Sequence, residues 1–251
     1  VAGGDLVAEA AHGFGLRADE DDAGLGAGLA AGLLNGTLVA GFGIQPIVAT
    51  LILLVAGRGV AQLLNDGQII TFQNEAFAFV GVGTLLGLPM PVWLVLFVLA
   101  AMLLITRRTA LGLFIEAVGA NASASHYAGV PVRAIKLTVY AIAGLCAALA
   151  GLVATADIQG ADANNVGLWI ELDAILAVVI GGTSLMGGRY SLVLAVVGAL
   201  IIQSLNTAVV LSGIPPKFNL VIKSAVIVAV LMLQSPIAQA QLASLRRRFT
   251  A

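Results

Sequence analysis

The chain has 251 residues, of which 60% are hydrophobic and only 10% charged, and its formal net charge is -1. Soluble domains average about 45–50% apolar and about 25% charged residues, so the composition excludes an ordinary soluble protein and indicates an integral membrane protein. Its apolar runs do not alternate with polar residues as the strands of an outer-membrane barrel do. The predicted fold class is therefore all-α, a polytopic bundle of transmembrane helices.

The chain begins with a segment that has no apolar run long enough to cross a bilayer. Residues 1–23 are predicted to be a polar, acidic tail, either disordered or atypical. Residues 24–235 form the predicted transmembrane domain of about seven spans, since each crossing needs about 20 mostly apolar residues. These spans are 24–40, 47–64, 85–105, 134–156, 171–187, 190–211 and 219–234, and residues 236–251 are a basic tail.

Basic residues beside the spans set the predicted orientation. They are Arg107, Arg108, Arg133, Lys136, Arg189, Arg246, Arg247 and Arg248. Positive charges are enriched on the cytoplasmic side of membrane proteins, so loop 107–136 and the basic tail are predicted to be cytoplasmic. Loops 65–84, 157–170 and 212–218 then lie outside.

Polar residues within the predicted spans are candidates for a polar pathway, because a charge at a span centre costs about 2.5–3.5 kcal/mol. Arg58 either faces such a pathway or extends to the lipid headgroups. Gln203 and Asn206 share a helix face and either bind a substrate hydroxyl or hold two helices together.

The external segment at 157–173 is the densest polar group beside the membrane. Carboxylates and amides next to an aromatic side chain suit a polyhydroxylated solute such as a sugar. Alternatively, the polar residues cap helices and the tryptophan anchors the chain at the membrane interface. The candidate residues are Asp157, Asp162, Asn164, Asn165, Trp169, Glu171 and Asp173.

Loop 107–136 is longer than a simple turn requires. Glu116, Gly119 and Asn121 precede a predicted helix of small residues that ends at Gly129-Val130-Pro131. We interpret this as a coupling helix that docks on a soluble partner; a surface helix without a partner is the alternative.

Sequence motifs for catalysis are missing. The chain has two histidines and one cysteine, without metal-ligand spacing, and it has no Walker A motif. We therefore predict no enzyme activity, no metal site and no cofactor, and any ATP would be bound by a partner subunit.

Four segments of the chain carry a family resemblance. They are V-A-T-L-I-L-L-V-A-G-R-G-V-A-Q-L at 48–63, T-A-L-G-L-F-I-E-A-V-G-A-N at 109–121, the glycine-rich stretch 160–189 and G-A-L-I-I-Q-S-L-N-T at 198–207. From about residue 25 to 235 the chain resembles permease subunits of bacterial ABC sugar importers of the ribose and galactofuranose type. Relative to that family the predicted domain is N-terminally incomplete, with Gly3-Gly4-Asp5-Leu6 echoing the motif G-G-I-D-L-S-V-G. Truncation and a shifted reading frame both remain open.

The resemblance implies a location and a set of partners. The chain would lie in the bacterial inner membrane, where the lipid bilayer surrounds it, and E-A-V-G-A-N with the following helix would contact an ABC ATPase subunit. A second permease chain, identical or related, would share the pathway, and a periplasmic sugar-binding protein would deliver a monosaccharide. Nucleic acid is not an expected partner. A branched-chain amino acid permease and a non-transporting membrane scaffold are the alternative functions.

Overall fold

The computed structural model describes residues 18–71, 75–183, 187–188, 190–212, 221 and 224–225. Helices dominate this part of the chain, which confirms the predicted all-α membrane bundle. The chain divides between Leu168 and Trp169 into two compact units.

The first unit contains seven described helices and two short antiparallel ladders. The helices are α1 (Ala18–Ala40), α2 (Pro46–Leu64), α3 (Glu75–Val82), α4 (Met90–Arg108), α5 (Ala110–Ala120), α6 (Ala122–Tyr127) and α7 (Val132–Ile158). Strand β1 (Ile70–Thr71) pairs with β4 (Gly160–Ala161), with Ile70 opposite Ala161. Strands β2 (Thr84–Leu85) and β3 (Leu88–Pro89) form a hairpin.

The second unit contains two described helices that pack on each other, α8 (Ile170–Ile180) and α9 (Leu192–Leu211). Glycines permit the close packing. A Cβ on Gly181 would lie 2.8 Å from the backbone nitrogen of Ala195, and Gly198 of α9 lies against the backbone of Ala177. Small residues at such contacts let helix backbones come close together.

Five described helices are long and apolar enough to cross a membrane, namely residues 23–40 of α1 together with α2, α4, α7 and α9. They correspond to the predicted spans 24–40, 47–64, 85–105, 134–156 and 190–211. Residues 18–23, which were assigned to the acidic tail, form the first turns of α1. Residues 1–17, most of the predicted span 219–234 and the basic tail 236–251 lie outside the described residues.

Two predicted spans have different limits in the structure. The prediction for 171–187 was wrong in extent, because α8 has 11 residues and ends before Gly181. At 1.5 Å per residue it is about 16 Å long, roughly half the thickness of the hydrocarbon core. Span 85–105 begins instead at Met90, because residues 84–89 form the β2–β3 hairpin.

The core of the first unit is the seam between α1 and α7. A Cβ on Gly32 of α1 would lie 3.2 Å from the Cα atoms of Ala141 and Gly144 of α7. Val39 and Ile135 are buried in these two helices. The seam brings the two backbones as close as small residues allow, which is a common way for membrane helices to associate.

The predicted external loop 65–84 contains a helix that sequence analysis missed. Helix α3 packs on α7, and Gly81 lies against the backbone of Ala156 and Asp157. Val80 and Ala156 are buried. The apolar sequence E-A-F-A-F-V-G-V was the available signal, but eight residues are too few for the span length that was sought.

Candidate functional site

A stripe of polar side chains runs along the C-terminal half of α2. Arg58, Gln62 and Asn65 are spaced i, i+4 and i+7, which places them on one face of the helix and its cap. Along α2, which is described throughout, Ala49 is the only buried residue. Within the described part of the first unit, polar contacts therefore hold this end of α2 more than apolar packing does.

Each of the three side chains donates a hydrogen bond to loop 161–164, about a hundred residues further along the chain. Arg58 Nη1 donates to the carbonyl oxygen of Asn164 at 3.1 Å. Gln62 Nε2 donates to Asn164 Oδ1 at 2.8 Å, and Asn65 Nδ2 donates to the carbonyl oxygen of Ala161 at 3.4 Å. We call Arg58, Gln62, Asn65 and Asn164 the polar clasp.

Asn164 is the hub of the polar clasp. Besides accepting from α2, its side chain donates from Nδ2 to the carbonyl oxygen of Gly67 at 3.0 Å. Its backbone N–H donates to Asp162 Oδ1 at 2.8 Å. Asn164 thus joins α2, the turn after α2 and its own loop through one residue.

A carboxylate shapes the loop that carries Asn164. Asp162 Oδ1 also accepts from the backbone N–H of Asn165 at 3.1 Å, and Oδ2 accepts from Asn165 Nδ2 at 2.8 Å. The Asn165 side-chain hydrogen bond, followed by the backbone N–H of Asn164, lowers the pKa of Asp162 below its ordinary value. These donors favour the ionised carboxylate, which caps the turn.

The structure therefore brings four of the predicted pathway residues together: Arg58, Asp162, Asn164 and Asn165. Arg58 is half-buried and bonds a loop carbonyl, a role that neither of the two alternatives for it had included. Asp157 is exposed in the last turn of α7, outside the clasp.

The other predicted pathway residues belong to the second unit. Trp169 has a left-handed backbone with φ of 66° and precedes α8, whose first turn carries exposed Glu171 and half-buried Asp173. On α9, Gln203 is exposed. Asn206 lies on the buried side of α9, and its Oδ1 has no hydrogen-bond partner among the described residues.

Gln62 and Asn65 were not among the residues predicted from the sequence. Their spacing from Arg58 was a usable signal, because a polar residue recurring on one face of an apolar helix indicates a polar contact. Asn35 in α1, which is 8% exposed and whose Oδ1 has no partner in the described part of the chain, was also not predicted. Among described residues, no group of three or more His, Cys, Asp or Glu could hold a metal ion.

The predicted coupling segment consists of two short helices joined at a single residue. Asn121 ends α5, where its N–H donates to the carbonyl oxygen of Ala117 at 3.1 Å. It also begins α6, where its Oδ1 accepts from the N–H of Ala124 at 2.9 Å. A side-chain oxygen at this position satisfies a free N–H of the helix start, so Asn121 fixes the angle between α5 and α6.

Gly129 ends the segment by terminating α6. Its φ of +84° lies in the left-handed region that glycine adopts without steric cost. The N–H of Gly129 donates to the carbonyl oxygen of His126, and that of Val130 donates to Ser125, both at 3.0 Å. The predicted end of the helix at Gly129-Val130-Pro131 agrees with this geometry.

The surface of the segment is accessible and partly apolar. Leu113 of α5 is 69% exposed and Tyr127 of α6 is 90% exposed. Gly119 is also exposed, whereas Glu116 is half-buried. We call residues 110–129 the docking segment.

The five described helices of membrane-spanning length define a multi-pass helical membrane protein. The chain belongs to the family described as "Branched-chain amino acid transport system / permease component", whose profile matches residues 23–231. It is a multi-pass protein of the bacterial inner membrane.

Curated relatives of the chain are named as sugar permeases. The chain is 57% identical to the galactofuranose transporter permease protein YtfT of Escherichia coli (strain K12), over 94% of this chain and 69% of that relative. It is 38% identical to the fructose import permease protein FruF of Bifidobacterium longum (strain NCC 2705), over 84% and 61% of the two chains. It is 36% identical to the ribose import permease protein RbsC of Escherichia coli (strain K12), over 85% and 67%. The chain thus spans about two thirds of the length of these relatives. No solved structure gives a significant match to it.

Proposed function

We propose that this chain is the transmembrane permease subunit of an ATP-driven ABC importer for a monosaccharide of the ribose or galactofuranose type. The observation that carries the proposal is the 57% identity to a galactofuranose permease over 94% of the chain. The relatives named for fructose, ribose and L-arabinose support the same class of substrate.

In this proposal the chain forms a pathway and performs no chemistry on the sugar. ATP is bound and hydrolysed by a separate ABC ATPase subunit, since the chain has no Walker A motif. A second permease chain, identical or related, completes the pathway, and a periplasmic sugar-binding protein delivers the sugar.

The docking segment is the proposed contact with the ATPase. Glu116, Gly119, Asn121 and Gly129 are the residues assigned to coupling. The Asn121 caps and the Gly129 turn support this role, because a lever must keep its shape when it is pushed. Exposed Tyr127 and Leu113 supply apolar surface for such a contact.

The polar groups of the outer loop are the proposed lining of the pathway entrance. Asp162, Asn164 and Asn165 hold amides and a carboxylate close to Arg58, and hydroxyl groups of a sugar can exchange hydrogen bonds with such groups. Asp157, Trp169, Glu171, Asp173, Gln203 and Asn206 are further lining residues in this proposal.

Two other functions deserve comparison. The family description names branched-chain amino acids, which favours an amino acid permease. The relatives with 36–57% identity described above are all named for sugars, which favours the monosaccharide. A non-transporting membrane scaffold is the third possibility, and it predicts no ATPase partner.

Uptake of labelled ribose, galactofuranose, fructose and leucine in a strain lacking only this chain tests the proposal. We expect the deletion to abolish uptake of at least one of the sugars and to leave leucine uptake intact. A plasmid copy of the gene should restore the sugar uptake.

Selective loss of leucine uptake would favour the amino acid permease. Unchanged uptake of all four solutes, with no ATPase co-purifying with the chain, would overturn the transporter and favour the scaffold.

A further inference from the structure

The polar clasp lies at a part of the first unit with little other support. Along α2, described from end to end, one residue is buried, and most of its large apolar side chains are exposed. Its main packing neighbour among the described helices of the unit is α1, which precedes it in the chain. Among the described residues of the first unit, Arg58, Gln62 and Asn65 therefore provide the main contacts of the end of α2 at Leu64.

The turn after α2 can change its backbone angles without separating the nearby β1–β4 ladder. Two consecutive left-handed residues follow α2, Asp66 with φ of 48° and Gly67 with φ of 66°. Beyond this turn, β1 pairs with β4 in the same loop that carries Asn164. A change of backbone angle at Asp66-Gly67 would release the side chains of α2 from Asn164 while the β1–β4 ladder remains paired.

The chemistry of the clasp suits a contact that opens and closes. Its bonds are amide and guanidinium hydrogen bonds to an amide and to carbonyl oxygens, without a carboxylate partner for Arg58 within the clasp. Each donor and acceptor that separates can exchange its partner for water or for a sugar hydroxyl, so opening leaves no obligatory unpaired group.

We propose that Gln62 is a positioning residue of the transport cycle, whose bond to Asn164 is a latch that fastens α2 to loop 161–164 and opens at one stage of the cycle. Arg58 and Asn65 strengthen the latch from the turns on either side of Gln62. The proposal rests on the transport function proposed above.

Chemical cross-linking of the latch tests this proposal in the full importer. Cys146 is first replaced by serine, and Gln62→Cys is combined with Asn164→Cys. A short thiol-specific bifunctional cross-linker that a reductant can cleave then joins the two positions in membrane vesicles. We expect the joined protein to lose sugar uptake and to recover it when the linker is cleaved.

Each single-cysteine variant treated with the same reagent is the matched control, since it can be modified but not joined. A cross-linked importer that still takes up sugar at the rate of its untreated form would overturn the latch. If the Cys146→Ser parent imports no sugar while the wild-type importer does, Cys146→Ala is used as the cysteine-free parent instead. If the wild-type importer moves no sugar, the proposed function itself fails.

A second measurement applies even to a double variant that assembles without transporting. The rate of cross-linking between positions 62 and 164 is compared in the nucleotide-free complex and in the complex trapped with ATP and vanadate. A latch that opens predicts a several-fold difference between these rates. Equal rates in both states would show a static brace and overturn the proposal.

Discussion

At the scale of single residues, the described site depends on side chains that satisfy backbone groups of irregular segments. Asn164 and Asn121 do this in two different places, the polar clasp and the docking segment. Asparagine suits both because its side chain carries a donor and an acceptor on one short stem. The sequence predicted Asn121 for docking and Asn164 either for the pathway or as a helix cap. In the structure the side chain of Asn121 bonds locally, whereas that of Asn164 bonds residues about a hundred positions away.

Asp162 provides a prediction about pH. Its pKa is lowered in the folded protein, so ionisation of Asp162 stabilises the turn above the ordinary pKa of an aspartate. That stabilisation is lost as the pH falls through the lowered pKa of the folded state. We expect the thermal midpoint of the Asp162→Asn variant to be lower than that of the wild type at neutral pH and to approach it in strong acid.

Thermal unfolding of the purified complex between about pH 7 and pH 3 measures this effect. Asp66→Asn is the control, because asparagine also tolerates the left-handed backbone of that exposed position. A difference between Asp162→Asn and the wild type that stays constant down to the most acidic pH would contradict the assignment.

At the scale of elements, the close contact of α1 and α7 depends on glycines at particular positions. A Cβ on Gly144 would meet the carbonyl oxygen of Gly28 and lie 2.9 Å from the Cα of Gly32. Gly151 lies seven residues further along the same helix, and a Cβ there would have no atom within 4 Å. The sequence does not distinguish these two glycines, because it does not show which face of α7 packs on α1.

Leucine at these two glycines should have opposite consequences. We expect Gly144→Leu to push α1 and α7 apart and to cost about 1–3 kcal/mol or more, as overpacking of a tight contact does. Gly151→Leu should be close to neutral, because its side chain enters open space. The yield of folded protein and its thermal midpoint in detergent measure both; equal losses would contradict the seam.

At the scale of the whole molecule, the proposed function has the docking segment transmit a movement that begins in another subunit. Its helices α5 and α6 lie between α4 and α7 in the chain, and both α4 and α7 are of membrane-spanning length. Gly112 of α5 lies against the carbonyl group of Thr106 in α4, so the connection between α4 and α5 is tight. In the proposed importer, a push on this segment would therefore act on both long helices.

Glu116→Ala should uncouple the importer. We expect ATP hydrolysis by the partner to continue while sugar uptake falls by a factor on the order of 5- to 150-fold, the range of typical coupling free energies. Paired assays of ATP hydrolysis and uptake in proteoliposomes measure this. Gly26→Ala on α1, where a Cβ would have no atom within 4 Å, is the control. Normal uptake by Glu116→Ala in an assembled complex would contradict the docking assignment.

Local patterns in the sequence were enough to predict the class of protein and most of the described spans. In a bilayer every backbone N–H and C=O group must be satisfied within the protein, so a long apolar run such as Pro46–Leu64 has helix as its only stable form. The end of α6 at Gly129 was likewise predictable, because its cause is local. The pattern of residues was sufficient wherever the determining interaction lies within a few positions along the chain.

Tertiary structure alone decided which distant groups meet. Arg58 and Asn164 are separated by 106 positions, and the sequence contains no signal that selects one partner for the other. The packing of α3 on α7 was also decided by contacts between helices that are distant in the sequence. Hydropathy measures how well a segment tolerates lipid, but the pairing of polar groups depends on the three-dimensional positions that packing gives them.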